Sequence, residues 1–237
     1  IVEETTYGLD EFGCDGATGQ RERVIGKVKG TPQYQQVGGS RENITVIVAI
    51  CGDGTPTPPA VIFKGSALIY ENRLGYSKKG WTNGEIGMEW IKGFDTFTKA
   101  KAAGRYRLLL VDGHNSHYMR GFLEYARTHK ILVLCYPSHA THIYQGLDVV
   151  VFAALKRALR EERDKFERAT GQNFGKGNFL AIYGAAHLRT LSPSIIKSAF
   201  RKTGVWPFDP SVVTADMMAP SKETSCRGEL PLVPAPA

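Results

Sequence analysis

Two apolar runs separated by a helix-length segment set the strongest limit on what this chain can fold into. Leu108-Leu109-Leu110-Val111 and Ile131-Leu132-Val133-Leu134-Cys135 are continuous rather than alternating. Each therefore reads as a strand buried on both faces of a sheet. Ser116 to His129, between them, reads as a helix, so the three pieces make a right-handed βαβ unit.

Other elements arrange themselves around this unit. Thr45 to Cys51 is β-branched and apolar, a strand, and Ala60 to Phe63 returns beside it after Gly52-Asp53-Gly54 and a Pro-rich connection. Tyr7 to Asp10 and Arg23 to Lys27 are shorter strand candidates. Ile86, Trp90, Ile91, Phe94 and Phe97 recur at helical spacing between Gly84 and Ala103, as one helix or two. Leu147, Val150, Val151, Ala154, Leu155, Ala158 and Leu159 trace one apolar face of a long helix, and its charged far end carries Asp164 and Arg168 at i,i+4. Helical segments follow at about Asn178 to Thr190 and Pro193 to Thr203. Residues 1–214 thus read as one domain, and 215–237, rich in Pro and Ser, as a disordered tail.

Hydrophobic residues are 42% of the 237, enough for a substantial core. No run of 18 apolar residues occurs, so no membrane-spanning helix is expected. Cys14, Cys51, Cys135 and Cys226 form no CxxC pair and read as thiols of a reducing compartment. The net charge of +7 favours an anionic partner such as nucleic acid. The opening Ile1-Val2-Glu3-Glu4 is no secretory leader, and the chain reads as a piece of a longer protein.

Three aspartates stand where chemistry is usually placed. Asp112 follows the strand ending at Val111, at the edge where α/β sheets hold ligands, although Asp112-Gly113 would also serve as a plain turn. Asp148 opens the long helix, where the helix dipole alone would favour a carboxylate. Asp10 ends the first strand and by itself reads as a turn or cap. Together, carboxylates from a first strand, a later strand tip and a following helix can converge at one sheet edge. Converging oxygens without thiolates suit magnesium or manganese, and two such ions would clamp a phosphodiester exchange. The histidine pairs His114/His117 and His139/His142, with Cys135 nearby, offer zinc ligation, outer contacts that orient other ligands, or structural roles. No GxSxG elbow, Walker loop or GxGxxG occurs.

At these residues the chain resembles the DDE superfamily endonuclease domain of pogo/Tigger-type transposases, related to CENP-B and jerky proteins and common in fungi. The carriers are Asp10-Glu11-Phe12-Gly13, Ser77 to Thr82, Asp112 to His117, His139 to Asp148 and Ala199 to Pro210, in that order. The resemblance implies an α/β, RNase H-like fold: a central mixed sheet with helices on both faces. It carries the family's acidic triad onto Asp10, Asp112 and Asp148, binding two Mg2+ or Mn2+ ions. His114, His117, His139, His142 and Gln145 become candidates for orienting those ligands or touching DNA. It further implies DNA as substrate, self-association on DNA, a nuclear location, and a helix-turn-helix region that would precede Ile1. The alternative is a domesticated, catalytically silent DNA- or chromatin-binding descendant. Gly146 stands where the family's Gln-Pro-Leu-Asp has proline, which predicts a looser start to the helix bearing Asp148.

Overall fold

A computed structural model describes residues 1–15, 43–65, 74–78, 80, 82–113, 119–137, 140–214 and 217. Its six described strands are β1 (Thr6–Asp15), β2 (Asn43–Cys51), β3 (Ala60–Lys64), β4 (Leu74–Ser77), β5 (Arg107–Val111) and β6 (Ile131–Cys135). They form one sheet in the order β4-β3-β2-β1-β5-β6. The β1–β2 and β2–β3 pairs are antiparallel, and the β3–β4, β1–β5 and β5–β6 pairs are parallel. The sheet is mixed, as expected.

Side-chain alternation along the strands builds two cores. Tyr7, Leu9, Ile47, Ala49, Leu109 and Val111 face α1 (Gly84–Ala102) and α2 (Arg120–Thr128), meeting Trp90, Phe94 and Phe122 there. Phe12, Cys14, Val46, Val48 and Phe63 face the other layer. That layer follows a short α3 (Thr141–Tyr144) and holds a π-helical turn (Leu147–Val151), α4 (Phe152–Thr170), α5 (Lys176–Thr190) and α6 (Pro193–Lys202). Alpha-1 is one helix: Asn83 accepts from the Ile86 N–H at its start, and Ala103 ends it in the left-handed region.

Several expectations need correction. Beta-6 is apolar throughout, yet among the described residues it is one edge of the sheet, and Leu132 and Leu134 are about half exposed. A continuous apolar run signals a strand, not that both faces are covered. Asp164 and Arg168 form no side-chain pair; the Arg168 Nε donates to the Asp164 backbone carbonyl at 3.1 Å. Beta-4 and α3, each of four residues, fall below the length at which periodicity registers. The strand proposed at Arg23 to Lys27 lies outside the described residues, as does the tail 215–237 apart from Met217.

Candidate active site

Asp10 lies on β1, which pairs on one side with β2 and on the other with β5. The β1–β5 register matches Thr6 with Leu108 and Gly8 with Leu110. Asp10 stands two residues past the last paired position of β1, and Asp112 two residues past its partner, directly after β5 ends at Val111. Both also share a face. A Cβ built on Gly8 would sit 3.9 Å from the Phe200 ring of α6, so the even positions of β1 point toward the α4–α6 layer. Leu109 and Val111 point the opposite way, which turns Leu110 and then Asp112 to the same layer as Asp10.

Asp148 arrives from that layer. It sits on the π-helical turn heading α4, where the Phe152 N–H bonds to the carbonyl of Leu147, five residues back. Leu147 and Val151 are fully buried, which fixes the turn in the core while Asp148 between them is exposed. Such wide turns recur at functional sites because they re-aim a side chain without breaking the helix. The sequence pattern reads as a plain helix start here, since one extra residue in one turn leaves the apolar stripe intact.

Two of the three carboxylates, Asp10 and Asp148, are perturbed by their surroundings. The Asp10 side chain is 8% exposed, and its carboxylate accepts the Glu11 N–H at 2.7 Å. Its pKa is nonetheless pushed up to about 8, first by burial and then by the Asp148 and Asp112 charges, against the lowering effect of that hydrogen bond. Asp148 is raised as well, by partial burial; Lys156 opposes this and Asp112 adds to it. The donor set is all carboxylate oxygen and short of positive charge, which is the chemistry a hard divalent cation satisfies. Among the described residues, no three His, Cys, Asp or Glu side chains are gathered closely enough to enclose an ion. The triad is thus at electrostatic range of one another, not drawn into a closed cage.

The other candidates divide. Gln145 is 1% exposed, and its Nε2 donates to the Leu9 carbonyl at 2.7 Å, so the buried amide is spent on β1. His142 lies exposed on α3. His114, His117 and His139 lie outside the described residues. Cys135 Sγ donates to the Tyr136 carbonyl at 3.0 Å.

Tyr136 is the residue the sequence reading passed over. Burial, and then the Asp10 charge, raise its phenol pKa, and its ring lies parallel to Tyr144 at 6.3 Å. The available signal was its place just after β6, at the sheet edge that Asp112 also occupies.

Basic side chains around these elements divide by burial. Arg107 is buried and bonded to Asp95 at 2.7 Å, so it is a core residue and not part of a phosphate track. Lys156 and Arg157 are exposed on α4, eight and nine residues past Asp148. Trp206 packs against the α4–α6 core. Trp81 lies outside the described residues.

The sequence model of the DDE superfamily endonuclease family matches residues 41–200, two thirds of the chain. The chain belongs to this family. Asp112 and Asp148 of the DDE endonuclease domain lie inside the matched span, and Asp10 precedes it. Its six-stranded mixed sheet with helices on both faces is the RNase H-like fold, as the solved structures it resembles make plain. The catalytic domain of Mos1 mariner transposase superposes with a TM-score of 0.55 at 12% identity, over 84% of this chain and 77% of that one. The Mos1 transposase paired-end complex with left transposon end gives 0.62 at 12%, over 89% and 55%. The mariner Mos1 paired end complex with Mg gives 0.61 at 11%, over 88% and 56%. The chain spans about half of the transposase in those complexes, and at these identities the likeness is one of fold.

A curated relative, the MFS-type transporter clz9 of Cochliobolus lunatus, is 33% identical over 228 residues. These are 92% of this chain and 25% of that protein, so the DDE endonuclease domain spans a quarter of its relative's length. No helix among the described residues is long and apolar enough to cross a membrane.

Proposed function

We propose that this domain is the catalytic unit of a pogo-type DNA transposase, a nuclear enzyme that hydrolyses phosphodiesters and transfers DNA strands. One observation carries the reading: Asp10 on β1 and Asp148 on the turn heading α4 both have their pKa raised by burial and by neighbouring carboxylate charge, Asp10 by Asp148 and Asp112 and Asp148 by Asp112. Like charges brought together at a cost to the apo fold are a mark of a cation site. Two Mg2+ or Mn2+ ions held by these carboxylates would polarise the scissile phosphate and lower the pKa of the attacking water or 3′-hydroxyl. Mos1 complexes solved with Mg and with Mn support this choice of ion.

The chain's own residues supply the rest. Asp10 is held by the ladder on β1 and keeps its carboxylate turned toward the α4 layer. Tyr136, whose buried phenol feels the Asp10 charge, would limit water at the buried end of the site. Lys156 and Arg157 offer exposed positive charge for the DNA backbone next to Asp148. DNA would be held mainly through its phosphates, with affinity falling steeply as salt rises. Self-association on DNA belongs to the same reading.

A catalytically silent, domesticated DNA-binding protein is the second reading, favoured by the absence of a closed cage among the described residues. Supercoiled-plasmid nicking in Mg2+ or Mn2+ separates the two. Nicking that chelation abolishes supports the enzyme. DNA binding without nicking in either metal overturns it and leaves the silent scaffold.

A further inference from the structure

The carbonyl of Leu9 has an unusual position in the sheet. Ala49, its partner on β2, gives its own carbonyl to the Thr57 N–H, away from β1. In an antiparallel pair this turns the polar groups of Leu9 away from β2 and toward β5. The β1–β5 ladder, however, matches only Thr6 to Gly8. The Leu9 carbonyl therefore lies just past the end of the ladder, in the core, where an unpaired acceptor is costly.

Gln145 fills that place. Its Nε2 donates to the Leu9 carbonyl at 2.7 Å across 136 residues of chain, in a fully buried contact. Leu9 directly precedes Asp10, and Gln145 stands three residues before Asp148. The same junction is held from behind. A Cβ on Gly146 would lie 3.1 Å from the Ala199 carbonyl of α6, so the glycine lets two backbones approach closely. Its φ of −60° and ψ of −28° are ordinary helical values. Gly146 thus tightens the start of the helix by close packing, where the sequence predicted loosening.

We propose that Gln145 is a positioning residue: by donating to the Leu9 carbonyl it holds Asp148 within reach of Asp10, so that both carboxylates serve one divalent ion. This rests on the metal-dependent reading above. A residue that orients ligands without touching the metal changes affinity by about 10–100-fold when lost.

The test is Mn2+ affinity, read by electron paramagnetic resonance titration of the 237-residue chain, beside melting curves without metal. Gln145→Leu keeps the bulk and removes the donor; it should bind Mn2+ about tenfold more weakly or worse. Gln145→Asn keeps the amide on a stem one carbon shorter. It should show a smaller loss of the same kind, and it serves should the leucine variant not fold. Thr98→Val, which removes the 2.9 Å bond from Arg107 on the opposite layer, is the destabilised control and should keep wild-type affinity. Gln145 variants that melt earlier yet bind Mn2+ within twofold of wild type would overturn the proposal and leave the metal site standing. A wild-type chain that binds no Mn2+ removes the metal reading itself, and this inference with it.

Discussion

Two aspartates in this fold are equally buried and keep opposite company. Asp95, on α1, is 5% exposed and faces the Arg107 guanidinium at 2.7 Å; that guanidinium also takes the Thr98 hydroxyl and the Asp95 and His129 carbonyls. Asp10, across the sheet, is 8% exposed and faces Asp148 and Asp112. Burial alone does not set a carboxylate's role. The sign of the neighbours differs: Asp95 meets a guanidinium within its own layer, whereas Asp10 has carboxylates for neighbours, as the proposed cation site requires.

The sharpest way to break this comparison is to neutralise both aspartates. On the proposed metal-dependent reading, Asp10→Asn should lower plasmid nicking on the order of a thousandfold, since it would remove a ligand for ions that stabilise the transition-state charge. The folded protein should remain. Asp95→Asn should do the reverse. It strands a buried guanidinium and should cost about 3–5 kcal/mol in urea unfolding, with nicking per folded molecule preserved. An Asp95 variant that unfolds at wild-type urea, or an Asp10 variant that still nicks, would erase the distinction.

A pH series sharpens it without changing the fold. The Asp10 pKa in the fold, about 8, lies above its ordinary 3.8, so the folded chain binds this proton more tightly than the unfolded one. The stabilisation is complete below pH 4 and is lost as pH rises through 8. In metal-free buffer, wild type should therefore lose at least about 1 kcal/mol relative to Asp10→Asn between pH 5 and 8. Saturating Mg2+ should remove most of that difference. Equal slopes for the two proteins in chelator would show that Asp10 carries no such burden.

The smallest effect lies away from the carboxylates, in α5. His187 is buried, its Nδ1 is bonded to the Tyr183 hydroxyl at 3.1 Å, and burial lowers its pKa. Its contribution is fully present above pH 6.5 and is lost as pH falls through the lowered folded value. His187→Gln should flatten the acid limb of the stability curve slightly and leave the alkaline limb, which Asp10 shapes, unchanged. A shift of the alkaline limb in this variant would mean that the two layers are coupled.

Much of this was legible in the chain. The strands at Thr45 to Cys51, Leu108 to Val111 and Ile131 to Cys135 were readable because β-branched and leucine-rich runs of that length have few other uses. The helix at Pro193 to Lys202 was readable from its apolar spacing, which Ile196, Ala199 and Phe200 carry into the core. The family motifs pointed to Asp10, Asp112 and Asp148 as a set. Residue order and local pattern are enough for the strands and the helix, because propensity and periodicity act over short stretches of chain.

Three things were decided only in three dimensions. Beta-6 became an edge, with Leu132 and Leu134 open to solvent, because strand order depends on which partners compete for each ladder. Arg107, a charged residue that opens β5, went into the core because Asp95 and Thr98, one helix away, stood ready to receive it. Gln145 was committed to the Leu9 carbonyl because the β1–β5 ladder stops at Gly8, a boundary that no local signal near position 145 carries. In each case the deciding group lies far off in sequence or on another element, and burial makes its hydrogen bond or charge outweigh any local preference.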